Sequence, residues 1–182
     1  MERLQKLIPE IIDLAGGEII GRIRLQKIIY LMDRKGLNSG ANYIYYHYGP
    51  YSEDVADAIS DAKFWGTLEE QTEFRQSDGA PYSVFRSIIS VERDNNLGNL
   101  AVDDAYSILS KLKSANSTVL ELSATIHWLA FIEKTADWRS EIEQRKAGKT
   151  ANGRLEKAMQ LLMELDLAPP AQTPDTSARA LP

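Results

Sequence analysis

Two histidines, His47 and His127, are the only side chains in this chain that titrate near neutrality at their ordinary pKa. Proton-transfer chemistry would have to begin with them. His127 stands between Ile126 and Trp128 at a helical position, where packing or a hydrogen bond is the expected role. His47 lies among tyrosines, with no Asp or Ser at a recognisable motif spacing. No glycine-rich phosphate loop, nucleophile elbow or HExxH motif occurs. The chain has no cysteine, which removes thiol nucleophiles, disulfides and zinc–thiolate sites together. Two isolated histidines do not make a metal site. The pattern therefore predicts no catalytic residues, no metal ligands and no cofactor, in a protein that is not an enzyme.

Binding chemistry is better represented. The stretch YIYYHYGPYS, residues 43–52, holds five of the chain's eight tyrosines. Read as a strand from 43 to 48, it places Tyr43, Tyr45 and His47 on one face and Ile44, Tyr46 and Tyr48 on the other. One face can pack beneath helices, and five tyrosines exceed what a single buried face needs. Tyr is rigid, amphipathic and enriched at binding hot spots, and a turn held by Pro50 loses less entropy on binding. The stretch is therefore either a contact surface or a lock of turn onto helix. Further along, Arg145, Lys146, Lys149, Arg154 and Lys157 face only Glu156 in their own neighbourhood. Arg145, Lys146, Lys149 and Arg154 form a candidate anion-binding group, the alternative being a solvated helix end.

The elements that must position these residues follow from periodicity. Leu4, Leu7, Ile8, Ile11 and Ile12 recur at helical spacing around Pro9, which predicts a kink or a fresh helix with Pro9 in its first turn. Leu25, Ile28, Ile29 and Met32 form the next stripe, with Arg24, Lys27, Arg34 and Lys35 elsewhere around the helix and Gly36 after it. Pro50 closes the tyrosine stretch as a strand or turn. Ser52 is an N-cap, Glu53 and Asp54 suit the first turn, and Val55, Ile59 and Ala62 mark the buried face of a third helix. Thr67–Phe74 and Tyr82–Val91 read as strands around Ser77-Asp78-Gly79. Helix, helix, helix, hairpin is the order of a winged helix-turn-helix.

The second half reads as helices. One stripe runs from Val102 to Leu112, and a capping box at Thr118–Glu121 opens a helix to about Glu133. Trp138 and Ile142 anchor a shorter helix that Gly148 ends, and Leu155, Ala158, Met159 and Leu162 form the last stripe. The sequence APPAQTPDTSARALP then has little to bury. The expected architecture is mainly α (α+β), a single globular domain over 1–167. Its winged-helix-like part, 1–92, carries the β-hairpin and packs against a helical part, 99–167, and a disordered Pro-rich tail spans 168–182.

Several motifs carry a resemblance. Arg24-Leu25-Gln26-Lys27-Ile28-Ile29-Tyr30 resembles the LQK..Y helix that opens the Panacea (SocA-like) antitoxin domain. Tyr48-Gly49-Pro50-Tyr51-Ser52, with the following helix and Trp65-Gly66, is similar to that domain's GP turn and next helix. Closer still are small prokaryotic proteins of the YwgA type, which pair YYHGPYS-like and ELxATIHWL-like motifs. The second of these matches Glu121-Leu122-Ser123-Ala124-Thr125-Ile126-His127-Trp128-Leu129. The resemblance covers roughly residues 18 to 166 and implies a cytoplasmic, non-enzymatic helical module. Such a module acts by direct protein contact, as an antitoxin or adaptor with a toxin or other regulatory target as partner. It also implies that the LQK..Y helix and the GPYS turn belong to one constellation. The expected partner-binding set is Lys27, Tyr30, Tyr46, Tyr48, Gly49, Pro50, Tyr51 and Ser52.

Composition narrows the alternatives. A length of 182 residues fits one domain. No apolar run approaches the ~20 residues of a membrane span and no signal-peptide core is visible, so no membrane association and a cytoplasmic location are expected. The net charge is −5. A DNA-binding regulator is the alternative function. Its groove-entering helix would be SEDVADAISDAKFW, with four carboxylates against one lysine, which phosphates would repel. Nucleic acid is thereby disfavoured, although Arg22, Arg24, Lys27, Arg34 and Lys35 on the preceding helix could touch a backbone.

Overall fold

The computed structural model describes residues 2–89 and 95–170. Helix α1 (Glu2–Leu14) buries Leu4, Leu7, Ile8, Ile11 and Ile12 and carries Pro9 inside it, so no new helix starts at the proline. Gly16 and Gly17 then turn the chain with positive φ into β1 (Glu18–Ile20). This strand had no sequence signal. It exists because it pairs antiparallel with β5 (Pro81–Ser87), Ile19 opposite Phe85. β5 also pairs with β4 (Leu68–Phe74), giving a sheet of order β1-β5-β4. The predicted hairpin is present around Gly79, whose N–H donates to the Arg75 carbonyl at 2.8 Å. Its second strand ends at Ser87; the expected end, Val91, lies outside the described residues.

Helix α2 (Arg22–Arg34) is the central beam of the fold. Every residue from Leu25 to Met32 is buried, including Gln26, Lys27 and Tyr30. The four-residue stripe therefore understated its burial, because the polar residues between are covered by later parts of the chain. The tyrosine stretch forms a small antiparallel pair, β2 (Ile44–Tyr46) with β3 (Gly49–Tyr51), so Pro50 lies within a strand. Ser52 caps α3 (Glu53–Phe64) as expected, its hydroxyl accepting from Val55 N at 3.3 Å.

After the short hairpin β6 (Asn96–Leu97) and β7 (Leu100–Ala101), four more helices follow. They are α4 (Val102–Ser114), α5 (Ser117–His127), α6 (Trp138–Thr150) and α7 (Arg154–Glu164). The cap of α5 is Asn116, whose side chain accepts from Thr118 N at 2.9 Å; the expected Thr118–Glu121 capping box does not form, because Glu121 is used elsewhere. From His127 the helix continues as a π-helical turn, Trp128–Ile132. α6 runs past Gly148 to Thr150 and leaves helical geometry at Lys146, so its break is at a buried lysine rather than at the glycine. The chain is buried from Val119 in α5 to Leu129 in the π-helical turn, and α5 packs on α2, α6, α7 and β3. The described chain is mainly α with small sheets. Ala168 packs on the core and Pro169 is buried, so the Pro-rich tail does not begin at 168; residues 171–182 lie outside the described residues. Among the described residues, no helix is long and apolar enough to cross a membrane.

Candidate functional site

The β2–β3 hairpin sorts the tyrosines. Tyr45 pairs with Pro50, Tyr46 pairs with Gly49, and His47 and Tyr48 make the turn. Tyr43 and Tyr45 point to the core. The Tyr43 hydroxyl donates to Asp33 at 2.6 Å, and its ring meets Tyr30 edge-on at 5.0 Å. Ile44 and Tyr46 point outward. The alternation thus holds from 43 to 46 and ends at the turn, where His47 is exposed instead of sharing the inner face.

Around the hairpin is a buried frame built by α2 and α5. Gln26 donates to the Ser52 carbonyl at 2.8 Å and accepts from its N–H at 3.1 Å, so one amide side chain mimics a strand neighbour. The Lys27 ammonium donates to the Pro50 carbonyl at 2.6 Å. Burial lowers its pKa to about 8, with Lys146 and Lys149 adding to the fall and Glu121 opposing it. Gly49 has φ +85°, and a Cβ there would lie 2.5 Å from Thr125 Oγ1. This glycine is required twice, by backbone conformation and by close approach to α5. Tyr30 and His127 Nδ1 are hydrogen-bonded at 2.8 Å, and Phe131 lies over the imidazole at 4.8 Å between centroids. Burial, aided by Arg34, lowers the His127 pKa to about 4, which makes it a weak base held for structure.

The expected partner-binding set is therefore divided. Lys27, Tyr30, Gly49, Pro50 and Ser52 are buried and hold the hairpin on α2 and α5. The reason is that each is consumed by an internal bond or close contact. Tyr51 is half-buried, its hydroxyl donating to Glu53 at 2.9 Å. Tyr46 and Tyr48 remain 52% and 47% exposed.

The basic group is also corrected. Glu121, buried on α5, receives Lys146 at 2.9 Å and Lys149 at 2.7 Å, and Lys146 also donates to the His47 carbonyl. Arg145 grips Glu133 through both terminal nitrogens, donates to Glu141 at 2.6 Å and covers the Tyr45 ring at 4.6 Å. Arg154 donates to the carbonyls of Lys149 and Gly148. Each of the four expected anion-binding residues thus has partners inside the molecule, although Lys146 and Lys149 share one carboxylate and Arg154 meets only backbone carbonyls. Glu121 and Glu133 come from another part of the sequence, where local charge counting does not look, and Glu141 lies one turn before Arg145. Among the described residues, no group of three or more His, Cys, Asp or Glu is placed to hold a metal ion.

What stays open lies beside the hairpin. A cavity of about 140 Å³ is lined by Arg22, Ile23, Gln26, Lys27, Tyr46, Tyr48, Gly49 and Tyr51. It adjoins a groove that shares Arg22 and Ile23 and continues along Ile20, Phe74 and Tyr82. Ile20, Ile23 and Phe74 are exposed. Sequence reading missed all three. One signal was present: Ile23 is an apolar residue out of phase with the α2 stripe.

Three separated motifs meet here: Gln26 and Lys27 on Ser52 and Pro50, Gly49 on Thr125, and Tyr30 on His127. The chain is YwgA-like. It is 28% identical over 151 residues to a Bacillus subtilis (strain 168) protein described as uncharacterized protein YwgA, covering 82% of this chain and 89% of that protein. No family model matches the chain. In the fold, LQK..Y, GPYS and ATIHW are the three sides of one buried joint.

Proposed function

We propose that this YwgA-like protein is a non-enzymatic cytoplasmic regulator that works by binding a partner protein, as an antitoxin or adaptor, through the outer side of the β2–β3 hairpin. The observation that carries the reading is the split between the hairpin's inner and outer sides. A fully buried frame of Lys27, Gly49, Pro50 and Ser52 holds Tyr46 and Tyr48 half exposed beside an apolar cavity. A rigid backbone with exposed, amphipathic rings loses little entropy on association.

A DNA-binding regulator is the second reading, and one observation favours it. The order α1, β1, α2, α3, β4, β5, with the β2–β3 hairpin inserted before α3, and the sheet order β1-β5-β4 resemble a winged helix, in which α3 would enter the major groove. Charge weighs against it, because α3 exposes Glu53 and Asp57 where phosphate contacts would need Lys or Arg.

Amide hydrogen exchange on the protein with its partner captured from an extract of the source organism tests the choice. Slowed exchange over residues 44–51 and 20–24 is the expected result. Protection on α3 alone, or a nanomolar duplex complex that weakens by ~10³-fold from 50 to 200 mM salt, would replace this reading with the DNA-binding one.

A further inference from the structure

The cavity beside the hairpin has a wall that is almost wholly apolar although Gln26 and Lys27 line it. Their polar ends explain this, since they are turned to Ser52 and Pro50 and leave only their stems to the cavity. Apolar cavities of roughly 150 Å³ admit a benzene ring. At about 140 Å³, this one has room for one Leu, Met or Phe side chain.

Its rim is electrostatically lopsided. On one side the Arg22 guanidinium is answered by Glu70 at 2.5 Å, and Lys63 reaches the same carboxylate at 2.6 Å. Nearby, the first turns of α3 expose Glu53 and Asp57. Tyr51, which lines the cavity, donates its hydroxyl to Glu53 at 2.9 Å, and Asp57 stands one turn further along α3. The chain as a whole carries −5, which favours encounter with cations.

We propose that this socket takes a basic segment of a partner protein, which inserts one Leu, Met or Phe between Ile23, Tyr46 and Tyr48 and lays flanking Lys or Arg over Glu53 and Asp57. The groove along Ile20 and Phe74 continues the apolar track beyond Ile23. This inference rests on the protein-binding reading above and adds the chemistry of the partner.

A displayed library of random short peptides, selected on the immobilised full chain at low salt, is the probe. The enriched peptides are then measured against Ile23→Arg, which charges the socket, and against Glu53→Gln/Asp57→Asn, which neutralises the rim. Both variants are first checked for unchanged melting. Enriched sequences should share a single large apolar anchor and a net positive charge. They should lose about tenfold or more on either variant, the loss expected for a hot-spot contact. Acidic or neutral peptides that depend on Ile23 but not on the rim would overturn the inference while leaving the protein-binding reading in place. No enrichment, or peptides indifferent to Ile23→Arg and to Tyr46→Ala/Tyr48→Ala alike, would overturn both.

Discussion

The tyrosine hairpin and the lysine-rich end of α6 touch each other, Lys146 donating to the His47 carbonyl and Lys149 lying 4.9 Å from the Tyr48 ring centre. By composition both are contact surfaces. In the fold they differ. The α6 end is engaged, because Glu121 and Glu133 arrive from α5 and the turn after it and pair with Lys146, Lys149 and Arg145. The hairpin is half open, because its inner residues are fixed by α2 and α5 while its outer tyrosines keep about half their surface beside the cavity. A cluster of charge becomes a surface only if the rest of the chain leaves it unanswered, and aromatic density becomes one only where a backbone frame stops the rings from turning in.

The engaged side should break most severely. Glu121→Gln leaves Lys146 buried without its carboxylate, an arrangement that typically costs about 3–5 kcal/mol. Chemical denaturation measures it, and adding Lys146→Met should recover most of the loss. A Glu121→Gln protein as stable as the parent would show that the α6 cations are solvated after all.

Next comes the joint behind both regions. Burial keeps the His127 imidazole neutral down to about pH 4, whereas in the unfolded chain it takes up a proton near 6.5. The unfolded state binds more protons between those values. Stability from this group is therefore complete above about pH 6.5 and falls by about 3 kcal/mol as the pH drops through 4. Denaturation at a series of pH values should show that slope, and His127→Gln should flatten it. An unchanged slope in the variant would assign the acid sensitivity to other groups.

Gly49→Ala attacks the open side through its frame. The positive φ alone costs about 1–3 kcal/mol, and the methyl also meets Thr125. Thr125→Ser keeps Oγ1 and would not relieve the clash, whereas adding Thr125→Ala to the glycine variant should restore part of the loss. Failure of that rescue would mean that backbone strain alone accounts for the effect. Smaller again is Arg145→Ala, which removes partly exposed ion pairs with Glu133 and Glu141 and should cost about 1 kcal/mol by thermal melting. A larger loss would make the Arg145 guanidinium over Tyr45 part of the hairpin's frame, narrowing the contrast between the two regions.

Local signals were legible wherever a residue acts on its near neighbours. Ser52 as a cap, the turn at Gly79 and the apolar stripes of α1, α4 and α7 all belong to this class. What stayed hidden depends on distant pairing. β1 exists through register with residues 84–86, and Lys27 is buried because Pro50 and Glu121 come to it. Asn116 displaces the expected Thr118 cap because Glu121 is drawn inward to two lysines. The candidate site shows the same division. Tyr46 and Tyr48 were readable from alternation and tyrosine density. Ile20, Ile23 and Phe74 were not, since the β1–α2 junction must meet the distant end of β4 before they form one face.

The central claim is that the exposed hairpin rings bind and the α6 cations do not. Quantitative capture of the partner from an extract of the source organism tests it, comparing Tyr46→Ala/Tyr48→Ala with Arg145→Ala/Lys149→Ala at matched folded concentration. The tyrosine pair should weaken capture by roughly ten- to hundredfold, corresponding to about 1–3 kcal/mol, with melting almost unchanged. The α6 pair should capture like the parent. Undiminished capture by the tyrosine variant, or loss only in the α6 variant, would contradict the account.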